Sequence, residues 1–196
     1  YTGGYGASLL TSIAQVLALI NGPNADNPDG STWRVTDPNL ANVYRWVFKS
    51  YEPLIYRGGM MSMTRGREVS RSTSTEHATG QNIMQSILRI SQFAPTAEAA
   101  RMRSMLRYWA AADSARSFVG TAPLPLLTAV QQLLADPTVA AREELTGNYL
   151  FGSMDRVVHL RPGFGLGISM SSSRIYAYES INSENLHGWH TGDGMT

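Results

Sequence analysis

The chain has 196 residues, of which 43% are hydrophobic and 16% are charged, a composition that excludes a disordered protein. Its formal net charge of +1 gives no overall attraction to nucleic acid or to an anionic membrane, so neither is expected as a partner. Cysteine is absent, which excludes disulfides, thiolate metal sites and a cysteine nucleophile. No uninterrupted apolar run reaches the roughly 20 residues that cross a bilayer, so we expect no membrane-spanning segment.

Apolar residues at helical spacing predict that the first three quarters of the chain are helical. The predicted helices cover residues 9–20, 38–50, 76–90, 97–119, 124–134 and 138–145. Asn21, Gly22 and Pro23 are expected to end the first of them. Thr73 and Glu76 have the spacing of a capping box, in which each side chain binds a backbone amide of the other residue, and they predict the start of the third helix.

The spacing of apolar residues changes from helical to alternating at Gly147. Residues 157–162 alternate as in a strand, and residues 168–178 are again strand-like. These patterns predict a helical domain over residues 1–146, followed by the opening strands of a β domain over residues 147–196.

The chain begins with the motif YTGGYG, in which two glycines precede Tyr5. Glycine allows backbone conformations that other residues avoid, so this segment is suited to presenting the Tyr5 side chain from a loop just before a helix. A helix-capping turn with two half-buried tyrosines is the alternative interpretation, and this motif alone does not decide between the two.

The motif RGREVSR, residues 65–71, places three arginines within seven residues, with Glu68 as the acidic residue among them. At least two guanidinium groups therefore need partners from elsewhere. Arginine binds carboxylates through two parallel hydrogen bonds, so the motif is suited to holding an anion or to stabilising the charged form of a neighbouring acid. A solvated surface loop is the alternative interpretation.

The closing segment NSENLHGWHTGDGMT combines two asparagines with Trp189, two histidines and acidic residues. This combination suits a sugar site, since aromatic faces stack on pyranose rings and amides bind hydroxyl and carboxylate groups. A metal site made by His187, His190 and Asp193 is the less favoured alternative, because histidines three residues apart in a loop need a third ordered ligand.

These three motifs, in this order, resemble the family 8 polysaccharide lyases, which include hyaluronate, chondroitin AC and xanthan lyases. The resemblance covers nearly the whole chain. It implies an α+β multidomain fold, in which the second half of an α/α toroid of helical hairpins precedes the first strands of an antiparallel β-sandwich domain, with the substrate cleft where the two meet. It also implies that the same polypeptide continues on both sides, with a catalytic asparagine upstream and a catalytic histidine nine residues before Tyr5.

The resemblance further implies cleavage by metal-independent β-elimination, in which a proton leaves C5 of a uronic acid and the C4–oxygen bond breaks. Tyr5 matches the catalytic tyrosine that protonates the leaving oxygen and also takes the C5 proton. Arg67 and Arg71 match the arginines that favour the tyrosinate form and hold the substrate. Glu179 matches the acidic residue that orients these arginines or touches the sugar.

Four further residues are candidates for substrate binding through the same resemblance. Asn182, together with Glu179, matches a pair of family residues that orient the arginines or touch the sugar. Asn185 matches a further asparagine on the substrate side. Arg65 is a weaker candidate. Trp189 is a candidate as well, with support of the closing loop as its alternative role.

The resemblance implies an acidic polysaccharide as partner, with hyaluronan favoured over chondroitin and xanthan, no metal or cofactor, and secretion by a bacterium. Without the upstream histidine and asparagine, the isolated chain is expected to be inactive. The residues themselves leave two other classes of protein open. One is a glycoside hydrolase on a helical toroid, with Glu179 and Glu184 as its two carboxylates. The other is a noncatalytic carbohydrate-binding module.

Overall fold

The computed structural model of the chain describes residues 2–22, 25–188 and 194–195, the last pair by their backbone alone. The helices are α1 (Ala7–Asn21), α2 (Ala41–Trp46), α3 (Glu52–Leu54), α4 (Glu76–Ser91), α5 (Thr96–Ala112), α6 (Phe118–Thr121) and α7 (Leu124–Ala135). The strands are β1 (Ile55–Tyr56), β2 (Gly59–Met60), β3 (Gly147–Phe151), β4 (Arg156–Arg161), β5 (Phe164–Ser169) and β6 (Gly194–Met195). Short π-helical and 3₁₀-helical turns adjoin these elements. The π-helical turns are Thr2–Gly6 and Val47–Tyr51, and the 3₁₀ turns are Pro38–Leu40, Ser62–Thr64 and Gly66–Ser70.

Helix α4 lies at the centre of the helical part, where it packs against α1, α5, α7 and β2. Its apolar residues recur at spacings of three and four, which places them on shared faces of the helix. Ile83, Met84, Ile87 and Ile90 are fully buried there. Because neighbouring helices surround this face, truncation of Ile87 to alanine would leave a cavity and cost about 2–5 kcal/mol.

Helix α1 does not bury the whole apolar stripe that its sequence predicts. Of that stripe, Leu10 is fully buried, whereas Leu9 and Val16 are exposed. By length and composition, the helical stretch Thr2–Asn21 is long and apolar enough to cross a membrane, which the count of uninterrupted apolar residues did not anticipate. A single helix of this kind is weak evidence, because core helices and signal sequences meet the same criterion.

The start of α4 differs from the predicted capping box. Thr75, rather than Thr73, is the N-cap, and its Oγ1 accepts a hydrogen bond from the amide of Ala78 at 3.1 Å. Glu76 is therefore the first helical residue and lies too early in the helix to complete the box. Its carboxylate instead accepts hydrogen bonds from Arg65 and Ser62, each at 2.7 Å.

The helix predicted over residues 97–119 ends at Ala112. Asp113 ends it, because its carboxylate accepts hydrogen bonds from the backbone amides of Ala115 and Arg116 at 2.9 and 3.0 Å. Aspartate offers the backbone a local partner that competes with the helix. The short helix α6 begins only after this turn.

The prediction of a helix over residues 138–145 is wrong. Asp136 caps a turn there by accepting hydrogen bonds from the amide and hydroxyl of Thr138 at 2.9 and 2.6 Å. After this turn the chain has no regular secondary structure up to residue 146. The guanidinium of Arg142 lies over the ring of Tyr108, 4.8 Å from its centroid, and this tertiary contact holds the segment against α5.

The expectation that strands begin only after Gly147 is wrong at one place, the hairpin of β1 and β2. Arg57 and Gly58 form its tip with φ angles of 47° and 87°, the left-handed conformation that two-residue hairpin turns need. The hairpin packs closely on α4 at Gly80, where an added Cβ would meet the carbonyl oxygen of Gly58 at 1.9 Å. Only glycine permits this approach.

Strands β3, β4, β5 and β6 form an antiparallel sheet in that order, so the predicted helical part followed by antiparallel strands is confirmed. Val158 of β4 lies opposite Tyr149 of β3 and Gly167 of β5. Val158 and Leu160 are buried in the same cluster as the helices. Residues 175–178, predicted as strand-like, lie in an irregular segment. The division into domains 1–146 and 147–196 stays a prediction.

Candidate active site

Tyr5 lies in the π-helical turn that leads directly into α1, not in a loop before the helix. The preceding glycines let this turn approach the arginine motif, since a Cβ at Gly3 would lie 3.0 Å from both Cγ of Arg65 and the carbonyl oxygen of Thr64. The Tyr5 side chain is 54% exposed. The turn therefore presents the phenol at the surface, next to residues 65–71.

Arg65 does not lie at the surface of the site. Its side chain is 1% exposed, and its guanidinium donates to the carboxylate of Glu76 at 2.7 Å and to the backbone carbonyl of Ser74. Its predicted role in substrate binding is therefore corrected, because the guanidinium is below the surface and bound to protein acceptors. Arg65 supports the motif from beneath and ties it to the start of α4.

Arg67 connects Tyr5 to Glu179. Its Nη1 donates to the phenol oxygen of Tyr5 and to Oε1 of Glu179, both at 2.8 Å, and its backbone amide donates to Oε2 of Glu179 at 3.1 Å. Gly66 makes this approach possible, because it has a φ of +60° and a Cβ there would lie 2.4 Å from Oε2 of Glu179. The helical part and the irregular segment after β5 thus meet at the phenol.

Arg71 reaches the same cluster through Glu184. Its Nε and Nη2 donate to the two carboxylate oxygens of Glu184, each at 2.8 Å, in the two-bond arrangement typical of arginine and carboxylate. Oε2 of Glu184 also accepts from Nε of Arg67 at 2.6 Å. Glu68 lies 3.7 Å from Nη1 of Arg71. Sequence reasoning considered Glu184 only as a hydrolase carboxylate and missed this contact with both arginines.

The two candidate asparagines lie on a tight turn beside Glu184. Asn182 and Ser183 have φ angles of 55° and 62°, and the flanking residues Ile181 and Glu184 pair across the turn. Asn182 is exposed at its tip. Asn185 is 9% exposed, and its amide donates to the backbone carbonyl of Glu179 at 2.9 Å, so it positions this segment. Trp189, the remaining candidate, lies outside the described residues.

The charged side chains of the cluster shift one another's pKa values toward the ionised forms. Hydrogen bonds from Arg71 and then from Arg67 lower the pKa of Glu184. Contact with Glu184 in turn raises the pKa of Arg71. These shifts keep Glu184 ionised, so Glu184 is not suited to the general-acid role that a glycosidase gives to one of its two carboxyl groups.

A cleft of about 170 Å³ opens beside this cluster and is lined by Tyr5, Arg67, Arg71 and Glu179, among others. A second hollow of about 310 Å³ is also lined by Glu179 and is bordered by Arg174 and by exposed tyrosines. The second hollow by itself lies at the lower end of the sizes that hold small ligands. A phenol that lies at the edge of a cleft, with its oxygen bound by a guanidinium, is placed to exchange protons with a ligand in that cleft.

The described residues contain no group of three or more histidine, aspartate or glutamate side chains arranged to hold a metal ion. The metal site considered from the sequence would use His187, His190 and Asp193. Of these three ligands, His187 is described, whereas His190 and Asp193 lie outside the described residues.

Two family descriptions match the chain. Residues 1–108 match polysaccharide lyase family 8, N terminal alpha-helical domain, and residues 146–196 match polysaccharide lyase family 8, super-sandwich domain. The chain belongs to polysaccharide lyase family 8, which confirms the family that the three motifs resemble.

Individual relatives align over the whole chain. The xanthan lyase of Bacillus sp. (strain GL1) is 42% identical over 196 residues, and the hyaluronate lyase of Thermasporomyces composti is 37% identical over 198 residues. These alignments cover 100% of this chain, but only 20% and 24% of the two relatives. The chain thus spans about a fifth to a quarter of the length of these curated relatives.

Solved structures agree with the fold. A Paenibacillus xanthan lyase matches with a TM-score of 0.90 and 46% identity, covering 100% of this chain and 18% of that one. The chondroitin AC lyase of Streptomyces coelicolor A3, in complex with chondroitin sulphate, matches with a TM-score of 0.88 and 32% identity, covering 100% and 27%. The helical part and the sheet accordingly correspond to the later toroid helices and the start of the sandwich.

Proposed function

We propose that this chain carries part of the active site of a lyase that cleaves uronic-acid-containing polysaccharides by metal-independent β-elimination. The observation that carries the proposal is the exposed phenol of Tyr5, whose oxygen accepts a hydrogen bond from Nη1 of Arg67 at 2.8 Å at the edge of a cleft. Membership of a lyase family supports the reaction class.

In the proposed reaction, Tyr5 as phenolate takes the proton from C5 of the uronic acid. The electron pair released forms the C4–C5 double bond as the bond from C4 to the leaving oxygen breaks, and the Tyr5 phenol returns its proton to that oxygen. Arg67 stabilises the phenolate form in which Tyr5 begins the cycle and to which it returns when the leaving oxygen is protonated. The uronate carboxylate must be neutralised for C5 to lose its proton, and the resemblance assigns this role to an asparagine outside the chain.

Arg71 is proposed to bind the anionic substrate at the edge of the cleft. Its side chain is 37% exposed, compared with 14% for Arg67, so it offers a cation to solvent while Glu184 holds its other edge. Asn182, exposed on its turn, is proposed as a hydrogen-bonding partner for sugar hydroxyl groups. Glu179 is proposed to orient Arg67 through its two hydrogen bonds.

Within this class, the motif resemblance favours hyaluronan as substrate. Xanthan is the second candidate, supported by the 42% identity to a xanthan lyase. Chondroitin is the third, supported by the likeness to a chondroitin AC lyase. The share of the relatives that this chain covers supports the proposal that it works within a longer polypeptide, and we propose that this polypeptide is secreted by a bacterium.

The test is to incubate the full-length protein separately with hyaluronan, chondroitin sulphate and xanthan, with and without a metal chelator. We expect ultraviolet-absorbing unsaturated uronide from at least one polysaccharide at an unchanged rate with chelator, and we expect no turnover by the 196-residue chain alone. New reducing ends without ultraviolet absorbance would indicate hydrolysis and contradict the proposal. Binding without any cleavage would support the noncatalytic alternative instead.

A further inference from the structure

Glu184 is placed to control both arginines of the cluster through one carboxylate. Oε2 accepts from Nε of Arg67 at 2.6 Å and from Nη2 of Arg71 at 2.8 Å, while Oε1 accepts from Nε of Arg71 at 2.8 Å. We propose that Glu184 is a positioning residue for the elimination reaction, which holds the guanidinium of Arg67 in the orientation that directs Nη1 to the phenol of Tyr5. This inference rests on the proposed function.

The geometry of Arg67 shows why a second carboxylate is needed. Glu179 and Tyr5 both accept hydrogen bonds from Nη1, so both act on one corner of the planar guanidinium. The bond from Nε to Glu184 fixes a second corner, and together these contacts determine the plane. A guanidinium fixed in this way needs no rearrangement when charge develops on the phenol.

The charges of the two arginines give Glu184 a second task. The positive charge of Arg67 opposes that of Arg71, and repulsion between them would separate the side chains. One carboxylate that binds both removes this repulsion and sets their spacing. Glu68, at 3.7 Å from Arg71, is too distant for a short hydrogen bond and provides no such link to Arg67 in the described contacts.

The backbone around Glu184 forms a tight left-handed turn. Asn182, Ser183 and Asn185 have φ angles of 55°, 62° and 53°, a conformation that asparagine adopts more readily than most residues other than glycine and that is unfavourable for Ser183. The amide of Glu184 donates to the carbonyl of Ile181 at 3.0 Å and closes the turn. The turn thereby directs the Glu184 side chain toward the helical part, where both arginines lie.

The test measures kcat and KM of the full-length protein for Glu184→Gln alone and in an Arg67→Lys background. Glutamine keeps the size of glutamate but loses its charge and one acceptor. Since small displacements of catalytic groups reduce rates by up to about 10²-fold, we expect Glu184→Gln to lower kcat by roughly 10- to 100-fold with little change in the melting temperature. In the Arg67→Lys background, which lacks the planar guanidinium, the same substitution should change kcat by less than about threefold.

The matched control is Glu144→Gln, which removes the carboxylate partner of Arg57 outside the cleft and should leave kcat and KM unchanged. Unchanged kcat in Glu184→Gln would overturn the inference, as would equal losses in both backgrounds, because Glu184 would then act independently of Arg67. If Glu184→Gln does not fold, Glu184→Asp takes its place in the cycle, since it keeps the charge and shortens the reach.

A second readout separates this inference from the proposed function. If the unsubstituted protein makes no unsaturated product, the function fails, but a crystal structure of the Glu184→Gln protein still tests the positioning role. We expect Nη1 of Arg67 to move out of hydrogen-bonding distance of the Tyr5 oxygen. An unmoved Arg67 would overturn the inference whatever the activity.

Discussion

The phenol oxygen of Tyr5 lies 2.8 Å from Nη1 of Arg67, although the two residues are 62 positions apart in the sequence. Arg67 also binds Glu179, which lies 112 positions further along the chain. These two contacts therefore join the first turn of the helical part to the segment between β5 and β6. A site assembled from such distant segments depends on the packing between them, and substitutions at their points of closest approach should affect activity.

Gly66 is such a point, and Gly66→Ala should disable the site. An alanine methyl group there would lie 2.4 Å from Oε2 of Glu179, so Glu179 would have to leave the backbone amide of Arg67. We expect kcat/KM to fall by at least about tenfold, as misplacement of catalytic groups does. The control is Gly30→Ala, which has a similarly positive φ of +85° but nothing within 4 Å of the added Cβ. Equal activity of the two variants would contradict the role of this contact.

Substitution of Arg67 should affect both turnover and binding. Arg67→Ala removes the hydrogen bond to the Tyr5 phenol and a cation near the cleft, and loss of such a donor costs on the order of 10²–10³-fold in kcat. Arg67→Lys keeps the charge but not the planar geometry and should recover only part of this loss. Steady-state kinetics of both variants, with Arg57→Ala as a control outside the cleft, provide the measurement. A loss confined to KM would show that Arg67 only binds substrate.

Glu144 should make the stability of the protein depend on pH in the acidic range. Hydrogen bonds from Arg57 and from the backbone amide of Gly163 lower the pKa of Glu144. A carboxylate with a lowered folded-state pKa contributes stability above its ordinary pKa, near 4.5, and loses this contribution as the pH falls through the folded value. Glu144→Gln should therefore lower the melting temperature at pH 7 but much less near pH 3, whereas Glu143→Gln, at an exposed position, should do neither. An equal effect at both pH values would contradict this role of the Glu144 charge.

Much of the helical core could be predicted from the sequence because burial and periodicity agree there. The stripe of α4, from Ile83 to Ile90, is buried as its spacing indicates. The predictions failed where a polar side chain changed the path of the chain. Asp113 ends α5 by binding the amides that follow it, and Arg142 holds an irregular segment where a helix was predicted. Such local competition is not visible in the spacing of apolar residues.

In the candidate site, too, some residues could be predicted from the sequence and others could not. The motif resemblance selected Tyr5 and Arg67, which the structure brings into contact. It did not identify Glu184 as the partner of both arginines, although the excess of positive charge in RGREVSR called for a carboxylate from elsewhere. It also placed Arg65 on the substrate side, because a sequence does not show which of three neighbouring arginines is buried. Partner choice between distant segments depends on the tertiary fold.

The central claim, that Tyr5 exchanges the protons of the elimination, is tested most directly by the rate of unsaturated uronide formation in full-length Tyr5→Phe protein. Phenylalanine keeps the ring but removes the hydroxyl, so we expect a loss of about 10⁴-fold, the upper end for a general acid–base group, with substrate binding largely intact by calorimetry. Tyr149→Phe, which removes a hydroxyl from the sheet, should keep full activity. Retention of about a tenth or more of the normal rate by Tyr5→Phe would contradict the claim, because another group would then carry the protons.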